Sequence, residues 1–227
     1  TQDYLSMPHK PRSASPSAVE AAVGVFREQG GTLRTSEAIA RGIHPRTLYA
    51  MRDTGVVERL SRGLFRLADL PPLGHPDLVP VALRVPQGVV CLLSALSLHD
   101  LTTQIPHEVY LALPRGVDRP RLDHPPLRLF WFTGKAFSEG IENHALDGVE
   151  VRVYGAAKSV ADCFQYRNKL GIDVAVQALR LYLRRKGAMV DDLLHSARIC
   201  RVRKTLRPDT GATLCRAATW IPPPPTL

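Results

Sequence analysis

Residues 36–63, SEAIARGIHPRTLYAMRDTGVVERLSRG, decide how the N-terminal part of the chain folds. Thr35 or Ser36 supplies a hydroxyl to cap a helix that carries Ala38 and Ile39 inward, and Gly42 stops it after two turns. His44 precedes Pro45, which excludes the helical region for His44 and pre-sets the first position of a new helix. That helix is expected from Pro45 to about Thr54. Leu48 and Met51, three apart, form its inner face, and Gly55 closes it. Arg46, Thr47, Tyr49 and Ala50 are left largely on the outer side. Residues 56–67, VVERLSRGLFRL, then read as two short strands around a turn at Gly63.

Upstream, Val19, Ala22, Val23 and Phe26 recur at helical spacing, and Gly30 and Gly31 end the run. The order is helix, helix, turn, helix, hairpin over residues 18–70, which is that of a winged helix-turn-helix. In that motif the third helix enters the major groove of DNA and the hairpin approaches the backbone. Arg46 and Thr47 occupy the first turn of the third helix, and Arg59, Ser61, Arg62 and Arg66 line the hairpin. Basic and hydroxyl side chains on both elements suit phosphate and base contacts. The alternative is a structural or dimerising winged helix whose third helix binds protein only.

Composition bounds the rest. With 227 residues and 44% hydrophobic content, the chain has material for a small domain joined to a larger one, each with a core. No stretch reaches the length of a membrane span, and no secretory signal is recognisable, so a cytoplasmic protein with no membrane partner is expected. Cys91, Cys163, Cys200 and Cys215 are widely spaced and read as buried free thiols, apart from Cys215 in the tail. The scattered histidines form no H-x-x-x-H pair, and neither a metal site nor a cofactor is expected.

The formal net charge of +9 is uneven. Residues 1–70 carry 10 basic and 7 acidic groups, residues 71–153 carry 7 and 9, and residues 154–227 carry 13 and 5. The C-terminal excess favours a polyanion or an acidic protein as partner. Arg180, Arg184, Arg185 and Lys186, with Arg198, Arg201, Arg203 and Lys204, either extend a DNA footprint, dock an acidic surface or solvate their helices.

Residues 1–17 read as a mobile leader and 71–88 as a Pro-rich linker with a short helix inside it at Leu78 to Arg84. The second domain is expected over 89–208. It opens on a buried helix within VVCLLSALSLHDL (89–101) and continues with strands at 107–114, 125–134 and 149–154. Three helices close it, at 157–171, 173–187 and 189–202. The fold class is therefore α+β: a winged helix-turn-helix followed by a mixed α/β domain closing in helices. Residues 209–227 end in four prolines without helical period and read as a disordered tail.

Three segments carry a resemblance. RLSRGLFRLAD, then LLSALSLHDLTTQIPHEVYLALPRG, then VYGAAKSVADCFQYRNKLGIDVAVQALRLYLR together resemble the AbiEi family of antitoxins from type IV toxin-antitoxin systems, linked to abortive phage infection, over roughly residues 18–208. The tail departs from the helical, leucine-containing ending of similar proteins. The resemblance implies a bacterial protein whose winged helix represses its own operon by binding inverted repeats in the promoter, and whose second domain counters a nucleotidyltransferase toxin, directly or indirectly. It places Arg46, Thr47, Tyr49, Arg62 and Arg66 on the DNA-reading helix and wing, and Asp162, Arg167 and Lys169 on the characteristic helix of the second domain. Those three, with Arg184, Arg185 and Lys186, are candidate partner or DNA contacts.

An enzyme is not expected. Asp147, Glu150 and Arg152 have the spacing D-x-x-E-x-R of a metal-dependent nuclease motif, the remaining alternative. Arginine there stays protonated and cannot act as a base, and alternating charges are ordinary on a half-exposed strand. Asp162, inside an apolar helix, lies four residues after Lys158 and one turn before Tyr166, so an ion pair with a hydrogen bond on one face is its simplest reading.

Overall fold

A computed structural model describes residues 15–206, and the chain divides after Pro72 into two compact units. Helices and two sheets give a mixed α+β architecture.

In the first unit, α1 (Pro16–Glu28) starts two residues earlier than its apolar period suggested. Ser15 caps it, its hydroxyl accepting from the Ala18 amide, and Pro16 takes the first helical position, where a missing N–H costs nothing. The rest of the expected leader, residues 1–14, lies outside the described residues. Strand β1 (Thr32–Arg34) follows, then α2 (Thr35–Ala40), α3 (Pro45–Asp53), β2 (Val57–Ser61) and β3 (Leu64–Leu67). The sheet order is β1-β3-β2, antiparallel throughout. Thr35 is the first helical residue and not a cap: its amide and its hydroxyl both donate to the Gly63 carbonyl. Glu37 instead accepts from the Arg34 amide at 2.9 Å. Phe26, Leu48, Met51, Val57, Phe65 and Leu67 form the core.

The second unit begins at Leu73, so the Pro-rich stretch contributes structure to it. Its α4 (Leu78–Arg84) buries Leu78 and Val81 against the sheet, with Val85 just beyond. The run read as one buried helix divides into β4 (Val89–Val90) and α5 (Leu92–Leu98); a continuous apolar stretch suits either element, and pairing with two neighbouring strands makes its first residues a strand. β5 (Val109–Pro114), β6 (Leu127–Phe132), the short α6 (Lys135–Ser138), β7 (Ile141–Leu146) and β8 (Val149–Tyr154) complete the sheet in the order β6-β5-β4-β8-β7. β5–β6 and β4–β8 are parallel, β4–β5 and β7–β8 antiparallel.

α7 (Ala156–Gln165), the short α8 (Arg167–Leu170), α9 (Ile172–Arg184) and α10 (Val190–Ile199) close the unit. Alternation along β5 separates two cores. Tyr110 and Ala112 join α5, α7, α9 and α10 on one face, while Val109, Leu111 and Leu113 meet α4 on the other. Cys91, Cys163 and Cys200 are buried free thiols, all three held above the ordinary thiol range, chiefly by burial. Cys215 and the expected tail lie outside the described residues. Among the described residues, no helix is long and apolar enough to cross a membrane.

Candidate nucleic-acid interface

The His44-Pro45 step sets the start of α3. His44 sits at the cap in extended conformation, and its Nδ1 accepts from the Arg46 amide at 3.2 Å. Leu48 and Met51, both 0% exposed, fix the helix to the core and leave Arg46 and Tyr49 outside. The Tyr49 ring meets Phe65 edge-on at 6.4 Å, and the Arg52 guanidinium lies 5.2 Å over it while pairing with Asp53. Arg52 thus braces Tyr49 from the exposed side.

On the hairpin, Arg59 and Arg62 are exposed, and Arg59 Nε donates to the Ser61 carbonyl at 3.2 Å. A register shift between Arg59 and Ser61 bends this edge of the sheet. Four side chains, Arg46, Tyr49, Arg59 and Arg62, are accordingly available to a ligand.

Three others proposed from the sequence are not. Thr47 is 8% exposed because the helical turn carries it toward the core between its neighbours; Ser61 is also 8% exposed, its hydroxyl without a hydrogen-bond partner among the described residues. Arg66, 7% exposed, is a structural cation that pairs with Glu58 at 3.2 Å and donates to the Pro71 carbonyl. Alternation puts Arg66 on the face opposite Phe65 and Leu67, but its partners Glu58 and the Pro71 carbonyl lie over it there, and every residue of β3 is buried. Sequence reasoning missed the capping bond of His44 and the bracing role of Arg52. The first was visible as a capping residue before proline, the second as an arginine one turn after Tyr49's neighbour Leu48.

In the second unit, Asp162 is 0% exposed and cannot touch a macromolecule. Both its oxygens lie 2.7 Å from Lys158 Nζ, and Cys200 Sγ donates to it at 3.0 Å; the hydrogen-bonding third partner is this cysteine, not Tyr166. Burial raises the Asp162 carboxyl above the usual carboxylate range, while Lys158 and the thiol pull the other way. Lys158 also lies 4.3 Å from the Tyr154 ring centroid and 5.1 Å from that of Phe132. Arg167 turns back to donate to the Phe164 carbonyl, and Lys169 reaches toward the rings of Phe130 and Tyr166. Arg184, Arg185 and Lys186 are exposed at the end of α9.

Two members of the D-x-x-E-x-R pattern, Asp147 and Arg152, have structural partners. Asp147 turns β7 into β8 and accepts from the Gly74 and His75 amides, and Arg152 donates to the Gln87 carbonyl.

Comparison with known proteins bears on the first unit. Residues 24–68, from within α1 to the end of the hairpin, match the family model described as a transcriptional regulator, AbiEi antitoxin. This segment is thus similar to the AbiEi antitoxin family. The exposed α3 and hairpin side chains all lie within the AbiEi match. No curated protein matches the chain. Among solved structures, the RV2827C protein from Mycobacterium tuberculosis is similar over 95% of this chain and 87% of its own, with a TM-score of 0.52 at 12% identity. That likeness concerns the fold, and it extends the architecture beyond the AbiEi segment.

Proposed function

We propose that the protein is an antitoxin that represses its own operon, with residues 18–70 acting as a winged helix-turn-helix on inverted repeats in the promoter. The observation that carries this is the placement of Arg46 and Tyr49 outside α3 while Leu48 and Met51 are wholly buried, beside a hairpin exposing Arg59 and Arg62. A helix held by one face and offering an arginine in its first turn suits entry into a major groove, and hairpin arginines suit phosphates. The match of residues 24–68 to a transcriptional regulator family supports the same reading. The second unit, under this proposal, counters a nucleotidyltransferase toxin, and the protein itself is not an enzyme. Lys169, Arg185 and Lys186 are its candidate partner contacts, since Asp162 is sealed and Arg167 is turned inward.

The test is a salt-titrated binding assay on the promoter and on an unrelated duplex. Arg46→Ala should lose about 1–3 kcal/mol of preference for the promoter. Arg59→Ala and Arg62→Ala should weaken binding to both duplexes and flatten the log–log salt slope by about 0.9 each. Equal, weak binding of all variants to both duplexes would assign α3 to a protein contact instead.

A further inference from the structure

A cavity of about 530 Å³ opens in the second unit, and among the residues lining it are His99, Glu142, His144 and His195. We propose that His99, Glu142 and His144 form a binding site for a zinc-class divalent cation.

The three offer ligand atoms that all lie within 4.8 Å of one another. Glu142 and His144 stand two apart on β7 and therefore share a face, while His99 arrives from the C-terminal cap of α5. Two imidazoles and a carboxylate are the donor set that zinc and its neighbours accept, with at least one position left open to water.

His99 is prepared for this role. Its Nε2 lies 2.8 Å from the Tyr154 carbonyl, which also accepts from the Ser159 hydroxyl at 3.0 Å. A carbonyl only accepts, so Nε2 carries the proton and Nδ1 keeps its lone pair. Metal-binding histidines are commonly oriented in this way, with the second nitrogen donating to a carbonyl. The His99 and His144 rings meet edge-to-face at 5.5 Å, so the two imidazoles are already neighbours.

Gly155 provides an independent sign. Its φ of −59° needs no glycine, yet a Cβ there would come within 2.3 Å of Glu142 Oε1. The missing side chain makes room for that carboxylate. Without a metal, Glu142 pairs with His144 Nε2 at 3.2 Å. Ligands at about 2.0–2.1 Å in a tetrahedral site stand roughly 3.4 Å apart, so the group must contract. The half-exposed Glu142 and partly exposed His144 side chains are free to supply that movement.

Untagged full-length protein, stripped with chelator, is titrated with zinc by calorimetry and with cobalt by absorption. One ion should bind per chain. His144→Ala and Glu142→Gln should each weaken binding at least about tenfold, as should Gly155→Ala, while His195→Ala, also on the cavity wall, should leave it unchanged. Circular dichroism melts confirm that the variants fold; the two ligand substitutions are at solvent-accessible strand positions. No stoichiometric binding, wild-type affinity in both ligand variants, or a thiolate-to-cobalt charge-transfer band would each overturn the site.

Discussion

Removing Asp162 should unfold the second unit more readily than any loss of a partner contact would suggest. Lys158 and Asp162 are 1% and 0% exposed, and the ammonium sits 2.7 Å from both carboxylate oxygens. Asp162→Ala leaves a buried ammonium with two aromatic rings as its remaining company, and an uncompensated buried charge costs about 3–5 kcal/mol. In urea, with a slope of about 2 kcal/mol/M for a unit of this size, the midpoint should fall by roughly 2 M. Replacing both groups by apolar ones, Lys158→Met with Asp162→Leu, removes the stranded charge while keeping most of the volume. Such replacements are often neutral or stabilising by about 1–4 kcal/mol. Loss of the lysine–ring attraction subtracts about 0.5–2 kcal/mol, so the double variant should recover most of the deficit. The assay is equilibrium urea unfolding followed by fluorescence of Trp131, which lies on β6 of the same unit. If Asp162→Ala costs less than about 1 kcal/mol, or if the double variant is no more stable than the single one, the buried pair is not what the geometry makes it.

Arg66→Ala should lower the stability of the first unit by about 1–3 kcal/mol through its lost pairing with Glu58 and the Pro71 carbonyl, yet leave the salt slope of DNA binding unchanged; a flattened slope would return Arg66 to the interface. Gly31→Ala should cost about 1–3 kcal/mol or more, read from a thermal melt, because φ is +80° and the new Cβ would meet Leu70 Cδ1 at 2.2 Å; an unchanged melt would contradict that packing. At alkaline pH the sign follows from Tyr166, pushed up to about 12 mainly by burial from an ordinary value near 10. The folded state holds its proton longer than the unfolded state, so this contribution is complete below about pH 10 and is lost as pH rises toward 12. Denaturation midpoints across that window should fall, and a rising midpoint would contradict it. Cys91, Cys163 and Cys200 should resist alkylation until urea unfolds the chain, since each is buried and disfavoured as thiolate.

Much of the first unit was legible because local chemistry and tertiary packing agree there. His44-Pro45 starts α3, Leu48 and Met51 face inward, and Gly55 ends it, as their types require. What failed was orientation that depends on neighbours. Nothing in the sequence near Arg66 reveals that the chain after the hairpin brings the Pro71 carbonyl onto its guanidinium beside Glu58, so an apparent hairpin cation became an interior one. Thr47 was misplaced because a helix packed by more than one stripe buries a wider arc than two residues three apart define. In the second unit, the Lys158–Asp162 spacing announced the pair, but Cys200 enters from 38 residues away and has no local signal. The His99, Glu142 and His144 grouping was equally hidden. Two of its members share a strand that the sequence reading did not find, and the third comes from a different element.

The bond between Thr35 and Gly63 joins positions 28 residues apart through a single carbonyl oxygen. It makes the start of α2 and the tip of the hairpin parts of one rigid caliper, with α3 held between them by Leu48 and Met51. A surface hairpin left free would have to be immobilised on contact, which subtracts from affinity for each side chain ordered. Here that ordering is completed during folding. Under the proposed function, the Thr35–Gly63 bond means that a duplex would meet a hairpin tip already tied to the start of α2.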